Sequence, residues 1–348
     1  MTSREGTTVT HAHQDEGGAE EKSSPSPCGR GEPPRSKPCQ VCCRDRDLFR
    51  RHPSPRPHPA RGGEKLGHPR PSRKMRGVVF SADDFGLSES VNEAIVQAHL
   101  NGILDAASLM IAGPAALDAV RRARELPSLR VGLHLVVIEG PPVLPRSAIP
   151  DLLDAQGRFP SHQFRLGVDY FFRPGVRRQL AAEIRAQFAA FAATGLTLDH
   201  ANAHKHMHLH PTVGRLLIDI GREFGLRTVR VPAEPPMVLA RCGTRVGLGG
   251  QALYHWTRLL RRQAHRAGIA TSEHCFGLAW SGHMTADRVH RLMAELPDGV
   301  SEIYFHPATA RDAALRRLMP DYEHEAELET LLDLTLLAKS PVHAVRNH

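Results

Sequence analysis

The chain after residue 75 alternates short apolar runs with longer helical patterns, and this alternation restricts the fold more than any other feature. The predicted strands are 77–81, 105–111, 130–135, 197–201, 227–231, 274–279, 301–305 and 342–345. The predicted helices are 89–100, 114–126, 175–193, 211–224, 251–267, 285–296 and 324–338. Repeated strand–helix units give parallel strands joined by right-handed crossovers. With about seven to eight units, we predict an α/β fold, a distorted (β/α) barrel, in preference to one very wide open sheet.

Two long stretches interrupt this alternation. Segments 139–172 and 232–250 are rich in proline and glycine and break the rhythm of strands and helices. Long loops in such folds tend to shape the substrate cleft. We therefore expect both segments to border the functional site.

The first 74 residues differ in composition from the rest. They contain 11 of the 27 prolines and few large apolar side chains, too few to offset the entropy lost on folding. We predict a disordered, basic, proline-rich tail at 1–74 and one catalytic domain at 75–348. An alternative hypothesis is that translation begins near Met75 and that the tail belongs to an over-long gene start.

The positive charge is concentrated in that tail. Residues 1–74 carry +6 of the formal charge of +8, and the other 274 residues carry +2. The nearly neutral body predicts no nucleic-acid partner. No run is long enough to span a membrane or to act as a secretory signal. Cys242 and Cys275 are typical of reduced thiols, so we expect a cytoplasmic protein.

Polar side chains follow four of the predicted strands where those strands end. They are Asp83, Asp84, His134, His204, His206, His208 and His306. The carboxyl ends of parallel strands meet at one face of a barrel, so we expect these groups to converge there. A carboxylate pair with several imidazoles can hold one divalent metal, and three protein ligands leave positions for water and a carbonyl oxygen. The remaining aspartate would then take the proton of that water.

Each of these groups also has a structural explanation. The Asp83–Asp84 pair could cap the next helix, although Ser88 is the better cap. His134 could be a core histidine, and His306 could bond to backbone. His204 and His208 are four positions apart and would share one face of a helical turn, as paired metal ligands do. The residues alone therefore leave open which histidines bind.

The same motifs resemble those of the YdjC-like carbohydrate deacetylases over 76–348. They are Ser81-Ala82-Asp83-Asp84-Phe85-Gly86-Leu87-Ser88 with Asn92, Gly132-Leu133-His134-Leu135, His204-x-His206-x-His208 and Glu302-x-x-x-His306-Pro307. The chain departs from the family where Asn202-Ala203 replaces Asp-Ser and Lys205 replaces a histidine. The resemblance implies a metal-dependent N-deacetylase on a distorted (β/α) barrel.

The resemblance also implies roles for individual residues. Asp84, His134 and His204 match the metal ligands, for Mg²⁺ or Zn²⁺, and Asp83 matches the general base. His306 matches a late histidine that would act as general acid, and His208 is an additional candidate for ligand or acid. Asn92 in the first motif and Arg230 at a strand end are candidate substrate-binding residues.

The implied substrate carries N-acetylglucosamine (GlcNAc). Within the family the chain most resembles the deacetylases associated with hopanoid biosynthesis, which implies N-acetylglucosaminyl bacteriohopanetetrol, a membrane lipid. A chitooligosaccharide is the alternative substrate. The basic amphipathic helix at 252–266, with Tyr254 and Trp256, could rest on the inner face of the membrane, or it could be an ordinary outer helix. The oligomeric state is open, a homodimer being one alternative.

Two other functions compete with deacetylation. A metal-dependent hydrolase could cleave another bond, such as a phosphoester, although binuclear phosphoesterases usually need more ligands. A lipid- or sugar-binding protein could keep the metal only for structure, although structural zinc normally has four protein ligands. Acetate release separates both from a deacetylase.

Overall fold

Eight parallel strands form the sheet of this protein, seen in a computed structural model that describes residues 76–338. The strands are β1 (Arg76–Phe85), β2 (Ala106–Leu109), β3 (Arg130–Leu135), β4 (Ala201–Ala203), β5 (Thr228–Val229), β6 (Ala270–Thr271), β7 (His274–Phe276) and β8 (Gly299–Phe305). Their order in the sheet is β6-β5-β4-β3-β2-β1-β8-β7, and every pair is parallel. The prediction of about seven to eight parallel strands is confirmed.

The two edges of the sheet come close to each other through β6 and β7. β6 pairs with β5 at one edge, β7 pairs with β8 at the other, and only Ser272 and Glu273 separate β6 from β7. The chain therefore passes from one edge to the other in a few residues, which requires the sheet to curl. The result is a barrel-like α/β fold, as the alternation predicts.

Eleven helices connect or cover the strands within residues 76–338. They are α1 (Glu89–Asn101), α2 (Ala116–Glu125), α3 (Gln163–Phe172), α4 (Pro174–Ala193), α5 (Pro211–Glu223), α6 (Pro236–Arg241), α7 (Leu248–Arg266), α8 (Ala286–Glu295), α9 (Ala313–Leu318), α10 (His324–Leu332) and α11 (Thr335–Ala338). The periodicity did not predict α3, α6 or α9, and the helix expected at 324–338 is divided into α10 and α11. The strand expected at 342–345 and the tail at 1–74 lie outside the described residues.

Local sequence explains how the longer helices form. Ser88 accepts a hydrogen bond from the backbone N–H of Val91 and so caps α1, as expected for a serine at that position. Pro174 begins α4, where its missing N–H costs no helical hydrogen bond. The apolar stripe of α4, including Leu180 and Phe188, is buried against the sheet side of the core.

The carboxyl ends of the strands meet at one face, which we call the carboxyl rim. Asp83 and Asp84 lie at the end of β1, His134 lies near the end of β3, and His204 directly follows β4. The register of β3 with β4 aligns Leu135 with Ala203, so His134 and His204 lie on neighbouring strand ends. His306 directly follows β8, which pairs with β1. The sheet thus brings all four segments to one rim.

Candidate active site

Asp84 lies at an irregularity in β1. The pairing of β1 with β2 shifts register between Ala82 and Phe85, and Asp84 has a φ of 64°. A non-glycine residue in this left-handed region carries a conformational cost, and such residues cluster at functional sites. The irregularity turns consecutive carboxylates in different directions, which allows Asp83 and Asp84 to make separate contacts.

Three donor atoms from three strand ends surround one point. His134 Nε2 lies 3.2 Å and His204 Nδ1 lies 3.1 Å from Asp84 Oδ1, and the two nitrogens are 3.4 Å apart. All three residues are at most 5% exposed. Within the described residues, this is the group of carboxylates, imidazoles and thiols that could hold a metal ion.

The residues fit a small divalent ion. Tetrahedral ligands at about 2.0–2.1 Å from zinc lie about 3.3 Å from one another, which is close to the three distances between these donors. The second carboxylate oxygen of Asp84, Oδ2, is buried and has no hydrogen-bond partner among the described residues. A buried carboxylate oxygen without a donor is costly, and a cation would satisfy it. The mixture of one carboxylate and two imidazoles suits zinc and also accepts other divalent metals.

Asn202 connects the three-donor group (Asp84, His134 and His204) to the neighbouring aspartate, Asp83. Its Nδ2 donates to Asp83 Oδ1 at 2.9 Å, because a carboxylate can only accept. Its Oδ1 therefore faces His134 Nδ1 at 2.8 Å and accepts from it. With its proton on Nδ1, His134 keeps the lone pair of Nε2 for a metal. This residue stands where the sequence departs from the family pattern, and its two contacts could not be predicted from that departure.

Arg230 holds the other oxygen of Asp83. Its Nη1 donates to Asp83 Oδ2 at 2.5 Å, and the guanidinium is 1% exposed. Burial disfavours a charged carboxylate, but Arg230, His134 and His306 together outweigh that effect and hold the pKa of Asp83 far below its usual range. Asp83 is therefore ionised, as a general base must be. The position of Arg230 behind Asp83 favours a positioning role over the predicted contact with substrate.

A second carboxylate fixes Arg230 from the barrel interior. Arg230 Nε donates to Glu302 Oε1 at 2.8 Å, and its Nη2 donates to Ser81 Oγ at 3.0 Å. Tyr304 presents its ring 4.6 Å from the guanidinium carbon. The sequence motifs predict no role for Ser81, Glu302 or Tyr304. Their signal is the two-residue spacing of polar side chains within apolar strands, which directs Ser81 and Asp83, and likewise Glu302 and Tyr304, to one side of the sheet.

The histidine-rich turn does not form the regular helix that the spacing of four suggests. Residues His204–Leu209 form a 3₁₀ segment, within which Lys205 and His206 have φ near 50°. His208 consequently does not join His204 in the three-donor group. It is fully buried, both of its ring nitrogens lack partners among the described residues, and burial lowers its pKa well below the usual value. His206 Nε2 lies 2.9 Å from the hydroxyl of Tyr304.

His306 lies on the same rim, at the end of β8. Its backbone N–H donates to Glu327, and its backbone carbonyl oxygen is 2.6 Å from His324 Nδ1. These contacts fix the backbone but leave the ring nitrogen Nδ1 without a partner among the described residues. Burial lowers the pKa of His306 to about 4, although the charges of Asp84 and Asp83 oppose that effect. The ring is therefore neutral in the substrate-free protein.

Asn92 stabilises the turn that directly follows Asp84. Its Oδ1 accepts from the backbone N–H of Gly86 at 2.7 Å, and its Nδ2 donates to Ala115 and to Asp118 Oδ2. The side chain is fully buried. These contacts hold the turn that follows Asp84, so the position of Asn92 favours a structural role over the predicted substrate contact.

One arginine of the basic helix α7 forms hydrogen bonds within the protein and does not face only solvent. Arg261 donates to the backbone carbonyls of Ser272 and Glu273, between β6 and β7. Trp256 is 48% exposed and donates from Nε1 to the carbonyl of Leu209, in the turn that carries His204. Arg261 is therefore part of the barrel closure. Within residues 76–338, no helix has the length and hydrophobicity to cross a bilayer.

Comparisons with known proteins agree on one family. The family described as YdjC-like protein matches residues 77–339. A carbohydrate deacetylase of Brevibacillus brevis is 31% identical over 255 residues, which are 73% of this chain and 90% of that protein. A carbohydrate deacetylase of Geobacillus stearothermophilus is 29% identical over 273 residues, 78% of this chain and 95% of its own length.

A solved structure has the same fold. The crystal structure of a proposed cellobiose-phosphate cleavage protein from Enterococcus faecalis superimposes with a TM-score of 0.59. The two sequences are 21% identical, and the match covers 76% of this chain and 94% of the other. At this identity the similarity supports the barrel-like architecture and carries nothing about substrate.

Proposed function

Because this chain belongs to the YdjC-like protein family, we propose that it is a metal-dependent carbohydrate deacetylase that removes acetate from a GlcNAc unit. One observation carries the proposal. An ionised aspartate, Asp83, lies beside a group of three buried donors and is joined to it through Asn202. This is the arrangement that a hydrolytic metal centre with a separate base requires.

Asp84, His134 and His204 are the residues that would hold the ion. A divalent ion bound there supplies Lewis-acid polarisation of a carbonyl and lowers the pKa of a water molecule. The group contains one carboxylate and no thiolate among the described residues, whereas structural zinc normally has four protein ligands. The incomplete ligand set supports catalysis over a purely structural metal.

Asp83 takes a proton from the water that attacks the acetamido carbonyl carbon. Arg230 and Asn202 fix both of its oxygens, so the carboxylate is oriented before substrate binds. The carbon–nitrogen bond then breaks, the carbonyl carbon leaves as acetate, and the sugar nitrogen leaves as an amine after it gains a proton. His306 is our candidate donor, because its neutral ring can take up a proton in the substrate complex and pass it to that nitrogen, and its unpartnered Nδ1 lies on the same rim.

The lipid form of the substrate is the finer part of the proposal. From the resemblance to the deacetylases associated with hopanoid biosynthesis, we infer that the GlcNAc unit is attached to a hopanoid, N-acetylglucosaminyl bacteriohopanetetrol. A chitooligosaccharide is the second candidate, because the relatives of comparable length are carbohydrate deacetylases. The chemistry at the three-donor group is the same for both substrates.

Acetate release from the purified full-length chain tests the proposal. The assay compares the GlcNAc-bearing hopanoid with chitobiose, each with a chelator and with added Zn²⁺ or Mg²⁺. We expect metal-dependent release that Asp83→Asn reduces by at least ~100-fold, since loss of a general base costs about that much. Asp219→Asn is the matched control, because that aspartate is an exposed side chain on α5 whose ion-pair partner is Arg215.

The outcomes separate the alternatives. Release from chitobiose alone keeps the deacetylase and removes the hopanoid substrate. Release of phosphate from a phosphoester, without acetate release, favours the other hydrolase. Metal binding without either product favours the binding protein, and full activity of Asp83→Asn contradicts the role of that carboxylate.

A further inference from the structure

One face of α3 exposes an apolar stripe to solvent. Phe164 is 86% exposed, Phe172 70%, Phe171 48% and Val168 41%. Their spacing places all four on one side of the helix, while Leu166 and Tyr170 on the other side are buried. Three protruding phenylalanines on one short helix are unusual for a surface that faces only water.

The stripe lies beside the candidate active site. α3 belongs to the long segment that follows β3 and His134, and Tyr170 anchors the helix by donating to the carbonyl of Val137. Gln163 Nε2 donates to the backbone carbonyl of Lys205, the residue after His204. The ring of Phe171 lies 6.3 Å from that of His210, at the end of the same turn. The apolar face therefore borders the carboxyl rim.

A further aromatic side chain reaches the same turn from another helix. Trp256 of α7 donates to the carbonyl of Leu209, next to His210, and remains 48% exposed. Phe171 and Trp256 thus approach consecutive residues of one turn. Together with Phe164, Val168 and Phe172 they form what we call the aromatic surface.

Exposed arginines lie within and directly after the apolar stripe along the chain. Arg165 flanks the stripe on α3, and Arg177 and Arg178 are exposed in the first turns of α4. Within residues 76–338 these three arginines form no ion pair, whereas Arg173 is 3.6 Å from Asp169. The apolar stripe is therefore accompanied by three exposed arginines that form no ion pair among the described residues.

We propose that the aromatic surface docks the enzyme on an anionic lipid bilayer. Exposed aromatic side chains with adjacent arginines match the interface between acyl chains and negatively charged headgroups. A second copy of the chain fits less well, because a two-fold contact would bring the same arginines together. A sugar platform fits less well, because stacking of a neutral sugar on the rings would not need the accompanying arginines. The docking surface goes beyond the deacetylase reaction and does not require it.

Vesicle sedimentation of the full-length chain tests the docking surface. The vesicles contain phosphatidylcholine alone or phosphatidylcholine with phosphatidylglycerol. We expect binding to the anionic vesicles, weaker at high salt, and a loss of at least ~10-fold in Phe164→Ser/Phe172→Ser, since two large apolar side chains no longer enter the interface. Leu100→Ser/Leu117→Ser is the matched control, because Leu100 is 62% and Leu117 89% exposed on other helices.

Charge reversal gives a second, independent readout. Arg165→Glu/Arg177→Glu is expected to weaken binding to the anionic vesicles and to leave binding to pure phosphatidylcholine unchanged. The proposal is overturned when the wild-type chain does not bind the anionic vesicles, or when the phenylalanine variant binds as the leucine control does. A wild-type dimer that only the phenylalanine variant dissociates, without vesicle binding, would instead make this surface an interface between copies.

Activity on chitobiose, a soluble substrate, separates this proposal from the deacetylase. We expect the phenylalanine variant to release acetate from chitobiose at the wild-type rate, which shows that its fold and its site are intact. If the wild-type chain releases acetate from neither chitobiose nor the GlcNAc-bearing hopanoid, the deacetylase is overturned and vesicle binding stands as a separate result.

Discussion

Arg230 donates a 2.5 Å hydrogen bond to Asp83 across 147 positions of sequence. Asp83 lies at the end of β1 and Arg230 directly follows β5, on strands that are not neighbours in the sheet. The contact therefore crosses the interior of the curled sheet. The curl of the sheet brings the positive charge of Arg230 to Asp83, the candidate base. The same contact therefore links the two sides of the barrel and keeps Asp83 ionised.

Removing the charge of Arg230 is expected to destabilise the protein strongly. Arg230→Met leaves Asp83 and Glu302 buried without their counter-charge, so the free energy of unfolding should fall by ~3–5 kcal/mol. Urea denaturation measures the change. Arg215→Met is the control, because Arg215 is an exposed arginine 3.3 Å from Asp219, and such a pair contributes at most about 1 kcal/mol. Equal losses in the two variants would contradict the importance of the buried contact.

Much of the fold could be predicted from periodicity. Strand–helix alternation predicted the parallel barrel and the position of α4. The helices α3 and α6 escaped prediction because proline and glycine dominate their surroundings, and because α3 is apolar on both of its faces. The strands β5 and β6 have two residues each, which is too short for hydrophobic periodicity to locate their ends.

The site was predictable only in part. The motifs identified Asp84, His134 and His204, which the structure brings together, because metal ligands have a restricted chemistry and follow strand ends. They could not identify the partners of Asp83, because Asn202 and Arg230 reach it through tertiary contacts alone. The 3₁₀ turn that separates His208 from His204 depends on left-handed residues that no local sequence rule anticipates.

Zinc binding should distinguish the three donors from His208. We expect His134→Ala to lower zinc affinity by more than ~100-fold, the upper end of what loss of a hydrogen-bond partner of a ligand costs. His208→Asn should keep near wild-type affinity, because His208 lies outside the three-donor group. Competition with a chromophoric chelator measures both. An equal loss of affinity in His208→Asn would place that histidine among the ligands.

Asn202 should separate metal binding from turnover. Asn202→Asp keeps an acceptor for His134 Nδ1 but loses the donor to Asp83, so zinc affinity should persist while kcat falls. Asn202→Ala loses both contacts, and zinc affinity should fall by ~10–100-fold. Chelator competition and acetate release measure the two effects. A loss of zinc affinity in Asn202→Asp as large as in Asn202→Ala would contradict the hydrogen bond to His134.

The carboxylate of Glu234 has a pKa that lies close to neutral pH. It is 8% exposed and accepts hydrogen bonds from the backbone N–H groups of Gly277, Leu278 and Ala279. Burial disfavours its charged form more than these bonds favour it, and raises its pKa from 4.5 to about 7. The loop after β7 is therefore held by a group that titrates near neutral pH.

Stability should consequently decline as the pH rises toward 7. The folded-state pKa of Glu234 lies above the unfolded value of 4.5, so the native state binds more protons than the unfolded state between pH 4.5 and 7. The stability that protonated Glu234 contributes is therefore fully present below pH 4.5 and is lost by about pH 7. Urea denaturation across this range should show the wild-type chain losing up to ~3 kcal/mol relative to Glu234→Gln, which has no such titration. Relative to Glu223→Gln, the wild-type chain should instead gain stability as the pH rises. The hydrogen bond from Arg185 lowers the pKa of Glu223 and stabilises its ionised form. Parallel pH curves for the wild type and Glu234→Gln would contradict the raised pKa.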